Sequence, residues 1–188
     1  MVTLLRTILE DLQRYEETYR IRNEKKSLAK IALESVVFKP GFQAVLLYRV
    51  SNFFYKNGLG HLAWLTARIN QALTSAEIEY NADIAPGLFI AHPAGIVIGR
   101  GSKVGRKVNL YQCVTLGTKD MNKIEYPTIE DHVTLFSGAQ VLGNTRVGQY
   151  AVVGANSVVV TDVPAHALVA GKTVLPNRGD KVVAFAKD

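Results

Sequence analysis

Residues 129–159 read IEDHVTLFSGAQVLGNTRVGQYAVVGANSVV, and an aliphatic side chain returns at every sixth position: Ile129, Leu135, Val141, Val147, Val153 and Val159. Four places after the first five of these stand small or β-branched residues: Val133, Ala139, Thr145, Ala151 and Ser157. The same period runs upstream through Ile78, Ile84 and Ile90, and again through Ile98, Val104, Leu110 and Leu116. A fixed hexapeptide repeat is the signature of a parallel β-helix. Each repeat forms one flat face of a triangular coil, and its leading aliphatic points into the prism to stack on its equivalents one coil away. The small residue fits the tight corner. Ordinary half-buried strands would instead alternate with period two.

Composition sets outer bounds. The 188 residues suit one domain with an appendage, and the 48% apolar content is ample for a core. No apolar run approaches the roughly 18 residues of a membrane span, so none is expected. Glu10, Asp11 and Arg14 interrupt the early apolar residues, and no signal peptide is expected there. The single cysteine, Cys113, excludes an internal disulfide and fits a reducing cytoplasm. Because it lies within a regular coil, it is expected to pack rather than react. The formal charge of +6 favours anionic ligands. Lys and Arg are scattered, however, and nothing matches a nucleic-acid module, so no nucleic-acid partner is expected.

The chain divides near Glu77. Residues 1–76 read as an α-helical domain: Leu4, Leu5, Ile8, Leu9 and Leu12 follow helical spacing, and Ser27 is placed to cap a second helix. Pro40-Gly41 is a break, and Asn57-Gly58 a turn. The β-helix is expected over 77–163, followed by a cap or tail over 164–188. The six-residue count slips twice. Eight residues separate Ile90 from Ile98, with the extra pair around His92, and thirteen separate Leu116 from Ile129, forming the loop GTKDMNKIEYPT over 117–128. Regular coils are structural, whereas departures from regularity build the walls of sites.

Several segments carry a resemblance: Glu77-Ile78, Ile84, GLFIAHPAGIVIG over 87–99, VTLG over 114–117, AQVLGN over 139–144 and VGANSVV over 153–159. Together they resemble the serine acetyltransferase family of hexapeptide-repeat acyltransferases, and within it the short members associated with polysaccharide biosynthesis. The resemblance implies a left-handed parallel β-helix, acetyl-CoA as co-substrate, and a homotrimer or a pair of trimers. His92 falls on the family's general base, which takes a proton from the acceptor hydroxyl and returns it to the departing thiolate. Glu77, fifteen residues upstream, falls on the carboxylate that orients the histidine, where the family has Asp. The positions matching the coenzyme A groove are Gly117, Thr118, Ser137, Gly138, Ala139, Gly154 and Ala155, with Lys172 as a candidate phosphate contact. Small residues there let a pantetheine arm approach the backbone. His61, His132 and His166 lack such contexts and are expected to be surface or structural residues.

The departures from the family concern the acceptor. Ala91 stands where the family places the Asp that helps hold the serine amino group. Glu125 and Tyr126 stand where its carboxylate-binding Arg-His pair precedes the proline. An acid at that point would repel an amino-acid carboxylate, whereas carboxylates and tyrosines suit sugar hydroxyls and rings. A sugar of an exopolysaccharide or surface glycan is therefore the expected acceptor, with L-serine as the alternative and a non-catalytic scaffold as the second. A metal enzyme on such coils would need three convergent histidines, and no metal is expected.

Overall fold

The computed structural model describes residues 2–21, 27–171 and 173–175. Four helices come first: α1 (Val2–Ile21), α2 (Leu28–Phe38), α3 (Pro40–Lys56) and α4 (Gly60–Thr74). Ser27 caps α2 as its sequence position suggests, its Oγ accepting from the Lys30 amide at 3.4 Å and satisfying one of the helix's orphan donors. Pro40 ends one helix by opening the next. It is the first residue of α3, where the missing N–H costs no hydrogen bond. Ser75, in the left-handed region at φ 60°, ends α4. Among the described residues no single helix is long and apolar enough to cross a membrane.

Short strands then wind around three faces. The first face holds β1 (Glu77–Ile78), β4 (Val97–Ile98), β7 (Thr115–Gly117), β10 (Gln140–Leu142) and β13 (Val158–Val159). The second holds β2 (Asp83–Ile84), β5 (Lys103–Val104), β8 (Thr128–Ile129) and β11 (Arg146–Val147). The third holds β3 (Phe89–Ile90), β6 (Asn109–Leu110), β9 (Thr134–Leu135), β12 (Val152–Val153), β14 (Leu168–Ala170) and β15 (Thr173–Leu175). Neighbours within each face are parallel, apart from the antiparallel pair β14–β15. This is the left-handed parallel β-helix expected from the hexapeptides.

The register shows what the six-residue period does. Ile78, Ile98, Leu116, Val141 and Val159 pair in sequence down one face. Ile84, Val104, Ile129 and Val147 pair down the second. Ile90, Leu110, Leu135, Val153 and Val169 pair down the third. All are buried and form one core. The corner residues Ala82, Ser102, Val108, Val114, Val133, Ala139, Thr145, Ala151 and Ser157 are buried as well. Ala94 is the exception. It is exposed, and Ile96 occupies the inward place instead, because the two extra residues around His92 shift the count. Shortening the fully buried Ile98 to Val should cost about 1 kcal/mol in urea unfolding. A loss below about 0.3 kcal/mol would show that the coil relaxes to close the gap.

The coil runs past the expected boundary at 163. Val163 bridges to Val147, and β14 pairs in parallel with β12, adding another third-face strand. The six-residue count slips here, since only four residues separate Val159 from Val163, and then resumes from Val163 to Val169 with Ala167 buried at the corner. β15 then folds back on β14, covering the outermost strand.

At the other end, the first coil has no coil before it, so β2 and β3 present an open edge of backbone groups. Helical side chains close it. The Tyr15 hydroxyl accepts from the Ile90 amide and donates to the Ile90 carbonyl, both at 3.1 Å. Asp11 accepts from the Gly87 and Leu88 amides at 2.7 and 3.1 Å. Arg49 donates to the Ile84 and Ala85 carbonyls at 2.5 and 2.8 Å and pairs with Asp11 at 2.8 Å. Tyr48 donates to the Ala82 carbonyl at 2.7 Å, and Asn52 to the Tyr80 carbonyl at 2.7 Å. Burial pushes the Tyr48 phenol up to about 12 and raises that of Tyr15 as well, so both stay neutral donors. Gly41 allows α3 to come this close, since a Cβ there would overlap the Ile90 carbonyl oxygen.

Candidate active site

The first slip in the count builds an exposed corner. His92 stands between β3 and β4, exposed, with Gly95 at φ 70° completing the turn. The Gly95 amide donates to the Ser75 carbonyl at 3.0 Å, and the Glu77 amide donates to the Ile96 carbonyl at 2.8 Å. These two bonds stack the His92 corner against the junction of α4 and β1, so His92 and Glu77 belong to adjacent coils on one edge of the prism. Glu77 is half-buried. Its Oε2 accepts from Gln71 Nε2 at 3.0 Å, and among the described residues no hydrogen bond joins it to His92. Ala91 is half-buried beside His92, its amide held by the Leu110 carbonyl at 3.0 Å.

The same edge continues through the corners at Cys113, Ser137-Gly138 and Ala155-Asn156. The Cys113 amide donates to the Ala94 carbonyl, the Gly138 amide to that of Gln112, and the Asn156 amide to that of Ser137, each at 2.9 Å. Four of the expected coenzyme A positions, Ser137, Gly138, Gly154 and Ala155, therefore line up with His92. Gly138 has φ 71°, and a Cβ on it would overlap Asn156 Oδ1, so a small residue is needed there for internal reasons too. Ala139 is fully buried, and its N–H and C=O are engaged by Phe136 and Thr115, both at 3.0 Å. It packs the core. Gly117 ends β7 and, with Thr118, stands at the next edge, across the first face from His92. Lys172 lies outside the described residues.

Cys113 corrects an expectation. It is exposed, because its coil position is a corner in the left-handed region at φ 58°, which turns the side chain out of the prism. The other two histidines in the coils are structural, as expected. His132 and His166 stack on opposite faces of Tyr150, with ring centroids 4.5 and 5.1 Å apart. His61 is exposed on α4. Among the described residues no three His, Cys, Asp or Glu side chains converge as a metal site would require.

The second slip places Glu125 and Tyr126 at the base of the loop. The Tyr126 ring lies over Gly99 and Gly101, where a Cβ at either would overlap it. Packing thus explains this tyrosine and the two glycines together. Glu125 forms an ion pair with Lys123 Nζ at 3.0 Å. The sequence alone does not single out Lys123, nor Gln71 on α4, whose side chain reaches Glu77, nor Arg68, whose guanidinium reaches Gln71 and Glu79. Nothing in a helical pattern distinguishes such residues from other polar positions.

No family model matches the chain. Related sequences are specific, however. A serine acetyltransferase of Synechococcus elongatus is 38% identical over 154 residues, 81% of this chain and 63% of that protein. A serine acetyltransferase of Helicobacter pylori is 35% identical over 149 residues, covering 77% of this chain and 87% of that protein. The chain thus spans about two thirds of the length of the first of these relatives. Among solved structures, a serine acetyltransferase in complex with CoA aligns with a TM-score of 0.77 and 30% identity, over 92% of this chain and 68% of that one. The Neisseria gonorrhoeae serine acetyltransferase in complex with serine aligns with a TM-score of 0.81 and 27% identity, over 94% and 70%. Hexapeptides that stack in register, a helical domain closing the first coil and this degree of likeness agree: the chain belongs to the serine acetyltransferase family.

Proposed function

We propose that this chain is an acetyl-CoA-dependent O-acetyltransferase, that His92 is its general base, and that L-serine is its acceptor. The observation that carries the chemistry is the exposed His92 at the one irregular corner of the prism edge, one coil from Glu77. The imidazole removes the hydroxyl proton as the oxygen attacks the thioester carbonyl. Collapse of the tetrahedral intermediate expels the thiolate, which recovers the proton from the imidazolium. Glu77 orients the ring and offsets its positive charge. Ser137, Gly138, Gly154 and Ala155 offer small residues along the same edge for the pantetheine arm, and a homotrimer would place a neighbouring chain against it.

The sugar acceptor expected from the sequence yields first place to L-serine. The relatives are named serine acetyltransferases, one of them solved with serine, and the Glu125 charge is paired with Lys123. The second reading, a sugar hydroxyl, keeps the support of Ala91 and Glu125, which leave out two of the family's contacts to an amino acid. Mass spectrometry of products from acetyl-CoA with either L-serine or nucleotide sugars tests the choice. O-acetylserine as the main product is expected. An acetylated sugar with no O-acetylserine would transfer the assignment to the second reading.

A further inference from the structure

Glu77 is one methylene longer than the family's Asp, and its extra rotatable bond leaves the carboxylate free to point elsewhere unless something holds it. The structure supplies a tether from α4. Gln71 Nε2 donates to Glu77 Oε2 at 3.0 Å, and Gln71 Oε1 accepts from Arg68 Nη1 at 2.7 Å. The Arg68 Nη2 also lies 3.6 Å from Glu79 Oε1. A guanidinium only donates, so the Gln71 amide must turn its oxygen to Arg68 and its NH2 to Glu77. The amide direction is thereby set by chemistry. Arg68 is anchored at both ends, between Gln71 and Glu79, and its side chain is 37% exposed. A carboxylate offers about four acceptor sites, so Glu77 keeps acceptor capacity for the imidazole while Gln71 holds Oε2.

We infer that Gln71 and Arg68 are positioning residues that hold Glu77 for its work on His92. The inference rests on the reading of His92 as general base. Outer partners of this kind fix the orientation of the group that touches the reaction, and around metal sites, where such partners support the ligands, their loss typically costs about ten- to a hundredfold. The relay also links the helical domain to the reaction, because Arg68 and Gln71 both stand on α4 while Glu77 opens β1.

The test is steady-state kinetics on Gln71→Met, which keeps length and removes the hydrogen bonds, and on Arg68→Met, which removes the other end of the relay. Gln71→Met should lower kcat about tenfold, Arg68→Met should lower it by less, and KM for acetyl-CoA should stay within about twofold for both. In a Glu77→Ala background Gln71→Met should cost nothing further, since it acts through that carboxylate. Equal losses with and without Glu77, or an unchanged kcat in both variants, would overturn the relay. Should Gln71→Met fail to fold, the Arg68→Met comparison in the two Glu77 backgrounds decides in the same way. His92→Ala, assayed alongside, separates the two claims. Full activity there removes the base itself, whereas a dead His92→Ala with a silent Gln71→Met removes only the relay.

Discussion

His92→Ala should lower the rate of acetyl transfer about a thousandfold while leaving acetyl-CoA binding within about twofold. A positioned general base typically contributes 10²–10⁴-fold, and the hydroxyl of a serine or a sugar is a weak nucleophile without one. The side chain is exposed and stands at a corner whose backbone is held by the Gly95–Ser75 and Glu77–Ile96 hydrogen bonds. Its removal therefore deletes chemistry and little packing, so the thermal midpoint should be unchanged. Turnover with acetyl-CoA and L-serine, together with direct binding of acetyl-CoA, checks both parts. If the variant keeps more than about a tenth of the rate, another group takes the proton. A collapse of acetyl-CoA binding with the rate would instead make His92 a ligand contact.

The coil was legible in the sequence because its physics is local and repeated. An inward aliphatic at every sixth residue leaves the same trace in each hexapeptide, and the register of Ile78, Ile98, Leu116, Val141 and Val159 follows from it. The irregular corner at His92 stands out because it interrupts that trace. What escaped depends on contacts between different elements, which no single hexapeptide or helical period records. Gln71 reaches Glu77 only because α4 ends where β1 begins, and Tyr126 covers Gly99 and Gly101 only once the 117–128 loop returns to the coil. Cys113 stands three places after Leu110, the place in the hexapeptide at which Lys107, His132, Tyr150, Asn156 and His166 also take a left-handed backbone. In the sequence Glu125 stands as a lone acid, whereas in the fold it is half of a pair with Lys123.

Asp11→Ala should destabilise the junction between the helices and the coil by about 3–5 kcal/mol, the typical cost of removing one partner of a buried ion pair. Asp11 and Arg49 are both buried. One carboxylate oxygen accepts from the Gly87 and Leu88 amides and from Arg49 Nη2, and the other accepts from Arg49 Nε. Truncation leaves a guanidinium in the interior with only the Ile84 and Ala85 carbonyls, and it orphans two amides at the open edge of the first coil. Asp11→Asn should cost less, because the amide oxygen still accepts from those N–H groups while the charge pairing is lost. Urea unfolding at fixed protein concentration measures the difference, and hydrogen exchange at Gly87 and Leu88 locates it. A loss below about 1 kcal/mol for Asp11→Ala would mean that water reaches Arg49 and that the helices are not what closes the coil. The consequence extends to the site, because Leu88, Phe89 and Ile90 lead directly into Ala91 and His92. A frayed first coil would release the corner that carries the base, so the same variant should lose acetyl transfer at urea concentrations where the rest of the prism is still folded.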